Sequence, residues 1–174
     1  MPTSQEWGRA FAKQARADFD TWNALQLYVK LPPEARPLPR CQKLHFLQMA
    51  CEKLAKAHLL KGGSRVSDLK QSHAYIAKHL PTIVRQQMIQ EGENERVANS
   101  IRDQCKRLAR EIELLSPSVD DGSRREDNCE YPWVHGAALY VPAEWAFANL
   151  NLLTEPNGRN ILKRIRQAIE HLAG

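Results

Sequence analysis

The run HFLQMACEKLAKAHLL, His45 to Leu60, has a helical period and is mostly apolar, yet Glu52, Lys53 and Lys56 sit at its centre. Glu52 precedes Lys56 by four residues. That is the favourable order for an ion pair on one helix face, which stabilises an exposed helix by about 0.2–0.5 kcal/mol. The same ammonium groups, set at the rim of a cleft, can instead meet phosphate oxygens as point charges. Two basic rows offer more of this chemistry. Arg102, Lys106 and Arg110 step by four, and Arg159, Lys163 and Arg166 form a comparable row near the end of the chain. Side by side in a fold, the rows would make a strip able to track a phosphate backbone. Apart, each is a solvated helix face, and Asp103, Glu111 and Glu113 dilute the first.

Spacing gives no metal signature. His73 and His79 lie six apart with no Cys or acidic residue to complete a ligand set, while His45, His58 and His135 stand isolated. His58 falls on the apolar side of its helix and reads as a satisfied core histidine. The cysteines are Cys41, Cys51, Cys105 and Cys129, with no C-x-x-C. Cys41 and Cys51 share one helix at about 15 Å along its axis, beyond the reach of a disulfide. Cys51 and Cys105 fall on buried faces, where thiols are inert. Reduced thiols and a cytoplasmic location are expected. There is no glycine-rich phosphate loop and no Gly-x-Ser-x-Gly, which disfavours P-loop and hydrolase chemistry. No cofactor and no metal are expected.

The elements that must hold these residues are helices. Thr3 and Glu6 form a T-x-x-E capping box, so a helix begins near residue 4, with a seam of Trp7, Phe11, Ala15, Phe19, Trp22, Leu25 and Val29. LPPEARPLPR, Leu31 to Arg40, is a stiff proline linker. A second helix runs from about Cys41 to Lys61, with Leu47, Ala50, Cys51, Leu54, Ala57 and His58 on one broad side. His45, Gln48, Glu52 and Lys56 form the opposite stripe, and Gly62-Gly63 closes the helix. Ser67 is placed to cap a third helix that Pro81 ends or kinks, with TIVRQQMIQ carrying it onward. The fourth is the clearest. Val97, Ile101, Cys105, Leu108, Ile112 and Leu115 recur at steps of four and three, and Ser116-Pro117 stops it. Residues 116–153 break the period. The exposed DDGSRREDN is followed by YPWVHGAALYVPAEWAF, expected to pack across the bundle with a short strand or a turn of helix. Thr154 and Pro156 open the last helix, whose apolar face is Ile161, Leu162, Ile165, Ala168, Ile169 and Leu172.

Length and composition agree. The 174 residues, 43% hydrophobic and 26% charged with only 8 Gly, suit one all-α domain spanning 1–174. The reading is an up-and-down bundle of about five helices with a long aromatic-rich loop before the last. The net charge of +5 permits a polyanionic partner without requiring one. The N-terminus lacks a signal-peptide layout, and no run reaches the roughly 18 apolar residues of a membrane span.

The second-helix run Q-M-A-C-E-K-L-A-K-A, carrying Gln48, Ala50, Glu52, Lys53, Lys56 and Ala57, resembles the HEPN domain family, named for higher eukaryotes and prokaryotes nucleotide-binding. Tyr131-Pro132 after a long loop, followed by a final amphipathic helix, resembles the same family. Here Glu130 stands where Arg usually precedes Tyr-Pro. The resemblance implies a helical bundle that binds nucleotide or nucleic acid without its own catalytic centre, as a homodimer, possible partner of a nucleotidyltransferase. It raises Lys53 and Lys56, with Arg159 and Lys163, to candidate phosphate-binding residues. The alternative it implies is a metal-independent ribonuclease with an Arg-x(4–6)-His motif, met by Arg166 or Arg164 with His171 and also by Arg40 with His45. There His would act as general acid or base beside an Arg that stabilises charge on phosphorus. On a helix Arg164 and His171 differ by about 20°, whereas Arg166 and His171 differ by about 140°. A third reading is a pure protein-interaction module, with the Trp-rich segment 131–147 as the contact.

Overall fold

The computed structural model of the chain describes residues 2–27, 38–69, 73–119 and 126–174. The helices are α1 (Ser4–Leu27), α2 (Arg40–Lys61), the single turn α3 (Val66–Leu69), α4 (Ile76–Gln90), α5 (Glu95–Glu113) and α6 (Pro156–Ala173). Between α5 and α6 lie a small hairpin, β1 (Trp133–His135) and β2 (Ala138–Tyr140), and two 3-10 segments, Pro142–Glu144 and Ala148–Thr154. The architecture is the all-α bundle expected, built from five long helices among the described residues. The proline linker falls mostly on residues 28–37 and, with Val29, lies outside them. So does most of the acidic loop.

Capping chemistry sets the ends. The Thr3 backbone N–H donates to Glu6 Oε2 at 2.6 Å, and the Glu6 N–H donates to Thr3 Oγ1 at 3.2 Å, closing the capping box that starts α1. α2 ends in a Schellman motif. The Gly63 N–H donates to the Leu60 carbonyl and the Ser64 N–H to Leu59, at 3.1 and 3.0 Å, with Gly63 at φ 92°. α4 ends the same way, through Gly92 at φ 81°. Pro81 lies inside α4, which continues to Gln90. The start of α4 is capped from a distance, because Glu113 Oε2 accepts from the Ala77 N–H at 3.0 Å. Two expected caps differ. α3 begins at Val66, so Ser67 lies within its turn. The Thr154 hydroxyl donates to the Asn151 carbonyl, and Glu155 takes the cap position of α6.

α1 packs chiefly on α2 and α4 on α5, while α6 touches all four. Leu47, Leu54, Leu80, Leu108, Ile165 and Ile169 meet in one core. Each such side chain contributes about 1.5–3 kcal/mol relative to exposure. Phe147 joins them at 1% exposure although its backbone is left-handed, so core packing overrides the local preference there. Two sequence expectations are corrected. Val97 is exposed, and the inward face of α5 begins at Ala98. The polar stripe of α2 is not a solvent face, since Gln48, Glu52 and Lys56 are all buried. α2 is central, with α1, α4, α5 and α6 around it, so even its polar side is covered. Among the described residues no helix is long and apolar enough to cross a membrane.

The segment 131–147 does contain a short sheet, at Trp133–His135 and Ala138–Tyr140. Trp133 pairs with Tyr140 and His135 with Ala138 across it. The Trp133 and Tyr140 rings stack at 6.0 Å, and Trp145 meets both edge-on at 5.6 and 5.3 Å. This aromatic knot holds the hairpin together, where Val134 and Leu139 remain exposed, while Pro142 and Phe147 after it are buried and Phe147 packs into the core of the bundle.

Candidate functional site

The three charges at the centre of α2 are satisfied inside the fold. Lys56 Nζ lies 2.6 Å from Glu52 Oε1 with both side chains buried, and Gln48 Nε2 donates to Glu52 Oε2 at 3.1 Å. His73 Nδ1 closes the cluster 3.1 Å from Glu52 Oε2, and the Tyr75 ring lies under the Lys56 ammonium at 5.8 Å. Lys53 turns to α1, where its Nζ is 2.5 Å from Asp18 Oδ2. Burial alone would raise the Glu52 carboxyl. Hydrogen bonds from Lys56 and His73, and their charges, outweigh it and hold the group below its ordinary value. Neither ammonium is presented at a cleft rim.

The C-terminal cations divide. Arg164 is buried, clamped by Glu91 and by Glu93 at 2.8 Å, the two residues flanking the Gly92 turn. Arg166 points outward and pairs with Glu170 at 3.0 Å. Arg159 donates to the Thr154 carbonyl and, with Arg40 and Lys43, lines a cleft of about 490 Å³. Arg40 is engaged there by the Ala146 carbonyl and Asn151 Oδ1, each at 2.8 Å. These guanidiniums fasten the 3-10 segment to the helices. Lys163 is exposed and has no partner among the described residues. On α5, Asp103 sits within 3.1 Å of Arg102 and 2.9 Å of Lys106, so one carboxylate offsets part of that row's charge.

His171 is different. It lies on the rim shared by two depressions at one end of the bundle. The larger, about 450 Å³, is lined by His58, Lys61, Arg85, Gln86, Gln90 and His171 among others. The smaller, about 200 Å³, adds Gln5, Arg9 and Gly174 and also contains Lys61 and His171. The two share Lys61, His171 and Leu172, and this two-part furrow carries Arg9, His58, Lys61, Arg85 and His171, with no Asp or Glu among its described lining residues. Arg85 is oriented by Asn99 Oδ1 at 2.7 Å and by exposed Glu95 at 3.2 Å. The His58 imidazole is shifted down by burial and then by the Lys61 charge, which keeps it neutral near pH 7. His79, whose ring centroid is 6.5 Å from that of His58, shifts the same way through burial. His58 is therefore a half-buried wall of this furrow rather than a core residue. Of the furrow residues, the sequence singles out His171 as a candidate site residue and His58 as a core histidine. The signal for Lys61 is its place just before Gly62-Gly63, where the Schellman turn leaves the last side chain of α2 at the end of the bundle. Nothing local marks Arg85.

A second cluster contradicts the isolation of His45. Cys129 Sγ lies 3.8 Å from His45 Nδ1, and Glu130 Oε1 lies 3.6 Å from the same nitrogen. Burial pushes the Cys129 thiol up to about 12, with smaller contributions from Glu130 and Cys41. That thiol donates to the Leu115 carbonyl at 3.2 Å.

Compared with known proteins, the chain matches no family model, no curated protein and no solved structure.

Proposed function

We propose that this HEPN-like bundle is a non-catalytic binder of nucleic acid or nucleotide, which it holds by phosphate contacts along the furrow at the α2–α4–α6 end. One observation carries the reading: five cationic or protonatable side chains line two adjoining depressions that have no acidic side chain among their described lining residues. Lys61 supplies fixed charge, and Arg85 supplies a charge it shares with exposed Glu95 at 3.2 Å. Neutral His58 supplies a hydrogen bond, and the Gln86 and Gln90 amides offer donors and acceptors to base edges. Catalysis through Arg164 draws no support from a guanidinium already clamped by two carboxylates. Fluorescence anisotropy with a labelled single-stranded RNA tests the proposal. Saturable, salt-sensitive binding that weakens about tenfold in Lys61→Gln and Arg85→Gln, with the RNA recovered intact, is expected. Binding that is absent, or indifferent to both substitutions, overturns it.

The hairpin supports a second reading, a protein contact formed with another copy of the chain. Val134 and Leu139, paired across the hairpin, are 56% and 69% exposed, and Tyr131 just before it is 60% exposed. An apolar surface of that kind is a common contact feature. Light scattering of the wild-type chain and of Val134→Ser/Leu139→Ser decides it. A dimer that the pair of substitutions dissociates is the expected result, and a monomer in both cases rejects it.

A further inference from the structure

We propose that His45, Cys129 and Glu130 form a zinc site that ties the turn before the hairpin to α2. The three donor atoms lie within 4.8 Å of one another. Tetrahedral zinc, with bonds of about 2.3 Å to sulfur and about 2.0–2.1 Å to nitrogen or oxygen, places S and N about 3.6 Å apart and N and O about 3.4 Å apart. The observed separations from His45 Nδ1 are 3.8 Å to Cys129 Sγ and 3.6 Å to Glu130 Oε1. Those two separations close with shifts of a few tenths of an ångström, and the third, from Cys129 Sγ to the Glu130 carboxylate, lies within 4.8 Å and closes by rotation of the exposed Glu130 side chain.

The surrounding backbone is built to present these donors. Asn128 Oδ1 accepts from the Glu130 and Tyr131 N–H groups at 2.9 and 2.7 Å, folding the chain into a tight turn. The Cys129 N–H donates to the Leu115 carbonyl at 3.1 Å, which anchors the turn on the end of α5. His45 comes from the rigid second turn of α2, and Phe46 packs edge-on against its ring at 5.9 Å. A cleft of about 370 Å³, lined also by Gln42, Phe46 and Tyr131, opens beside the cluster and gives a fourth coordination position to water.

One sulfur, one imidazole and one carboxylate suit zinc better than magnesium or calcium, which take oxygen. Binding exchanges the thiol proton for the metal and releases it to solvent, and the hydrogen bond to Leu115 is lost with it. A thiol–imidazole nucleophile is the competing use of the same atoms. It is disfavoured because the sulfur is buried and lies nearer the Leu115 carbonyl, at 3.2 Å, than the His45 nitrogen, at 3.8 Å.

Metal titration of the full chain, stripped with a chelator, tests the site. Cobalt(II) is expected to bind at one equivalent with a sulfur-to-metal charge-transfer band in the near ultraviolet. The band should disappear in Cys129→Ser and persist in Cys51→Ala. His45→Ala and Glu130→Gln should weaken zinc competition for cobalt by about tenfold or more. Glu130 is exposed, so Glu130→Gln keeps the fold and serves as the variant of record. Zinc should raise the melting temperature of the wild type and do so less in Glu130→Gln. No sulfur band in the wild type, a band that survives Cys129→Ser, or an affinity untouched by Glu130→Gln overturns the proposal.

Discussion

Lys56 Nζ stands 2.6 Å from Glu52 Oε1, one turn along α2, and both side chains are sealed from solvent. A pair at that spacing on a helix surface contributes about 0.2–0.5 kcal/mol, but burial changes the accounting. Each ion has lost its water, and its neighbour is the main compensation. Removing either partner leaves the other charged and buried, at a penalty of about 3–5 kcal/mol. Lys56→Met and Glu52→Leu should each lower stability to that extent in urea denaturation. Glu52→Leu/Lys56→Met should recover much of the loss, giving a large coupling term in the double-mutant cycle. Additive effects would show the pair to be solvated.

The same cluster fixes the acid limb of stability. The folded Glu52 carboxyl lies below its ordinary value of 4.5, burial being outweighed by the Lys56 and His73 contacts. Its contribution is therefore fully present above about 4.5 and is lost as pH falls through the folded value. His58 and His79 are also lowered, chiefly by burial, from 6.5. The unfolded chain binds their protons more readily, so a separate decline begins below about 6.5. Urea midpoints measured across acid pH should show both limbs. His79→Ala should flatten the upper limb and leave the lower one in place.

Gly158 in the first turn of α6 faces the Leu152 carbonyl so closely that an added Cβ would sit 1.9 Å from the oxygen and 2.8 Å from its carbon. Both atoms are backbone, so relief requires the 3-10 segment to move. Ala would improve helix propensity by about 1 kcal/mol, yet overpacking of this kind costs about 1–3 kcal/mol and sometimes more. The clash should win. Gly158→Ala is expected to lower the thermal midpoint, and a neutral or stabilising result would mean that α6 and the 3-10 segment sit farther apart.

Arg164 and Arg166, two residues apart, should behave oppositely. Arg164 joins α6 to the turn between α4 and α5 through Glu91 and Glu93. Its alanine variant should lose about 2–3 kcal/mol, less than a fully buried pair because both glutamates keep some solvent. Arg166 pairs with Glu170 in the open, and Arg166→Ala should stay within about 0.5 kcal/mol. Denaturant titration of the two variants distinguishes a structural Arg164 from a catalytic one, which would alter activity while leaving stability in place.

The fold was legible wherever one helix face meets one core. α5 alternates Ile101, Cys105, Leu108 and Ile112 with charge, and a two-layer contact produces that pattern. α2 was legible as a helix but not in its orientation. A helix enclosed by four neighbours has no solvent face, so its polar stripe reads as exposed until the partners Asp18, His73 and Tyr75 are in place. The His45–Cys129 contact joins positions 84 residues apart, and no local spacing announces a cluster assembled by tertiary packing. The furrow was half legible. His171 stood out through its spacing from Arg164 and Arg166, whereas Arg85 reads as one more charge on an amphipathic helix.

Phosphate binding in that furrow makes a prediction about salt as well as affinity. Each Lys or Arg that neutralises a phosphate releases condensed counterion, adding about 0.7 to the slope of log affinity against log salt for a single strand. Lys61 has no carboxylate partner among the described residues, so its full charge is available. Lys61→Gln should then weaken RNA binding uniformly across sequences and lower the salt slope by about one contact. Lys53→Gln removes a charge already neutralised by Asp18 at 2.5 Å and should leave the slope unchanged. Equal slopes for all three proteins would mean that the RNA lies elsewhere. A slope lost in Lys53→Gln alone would return the binding surface to the centre of α2.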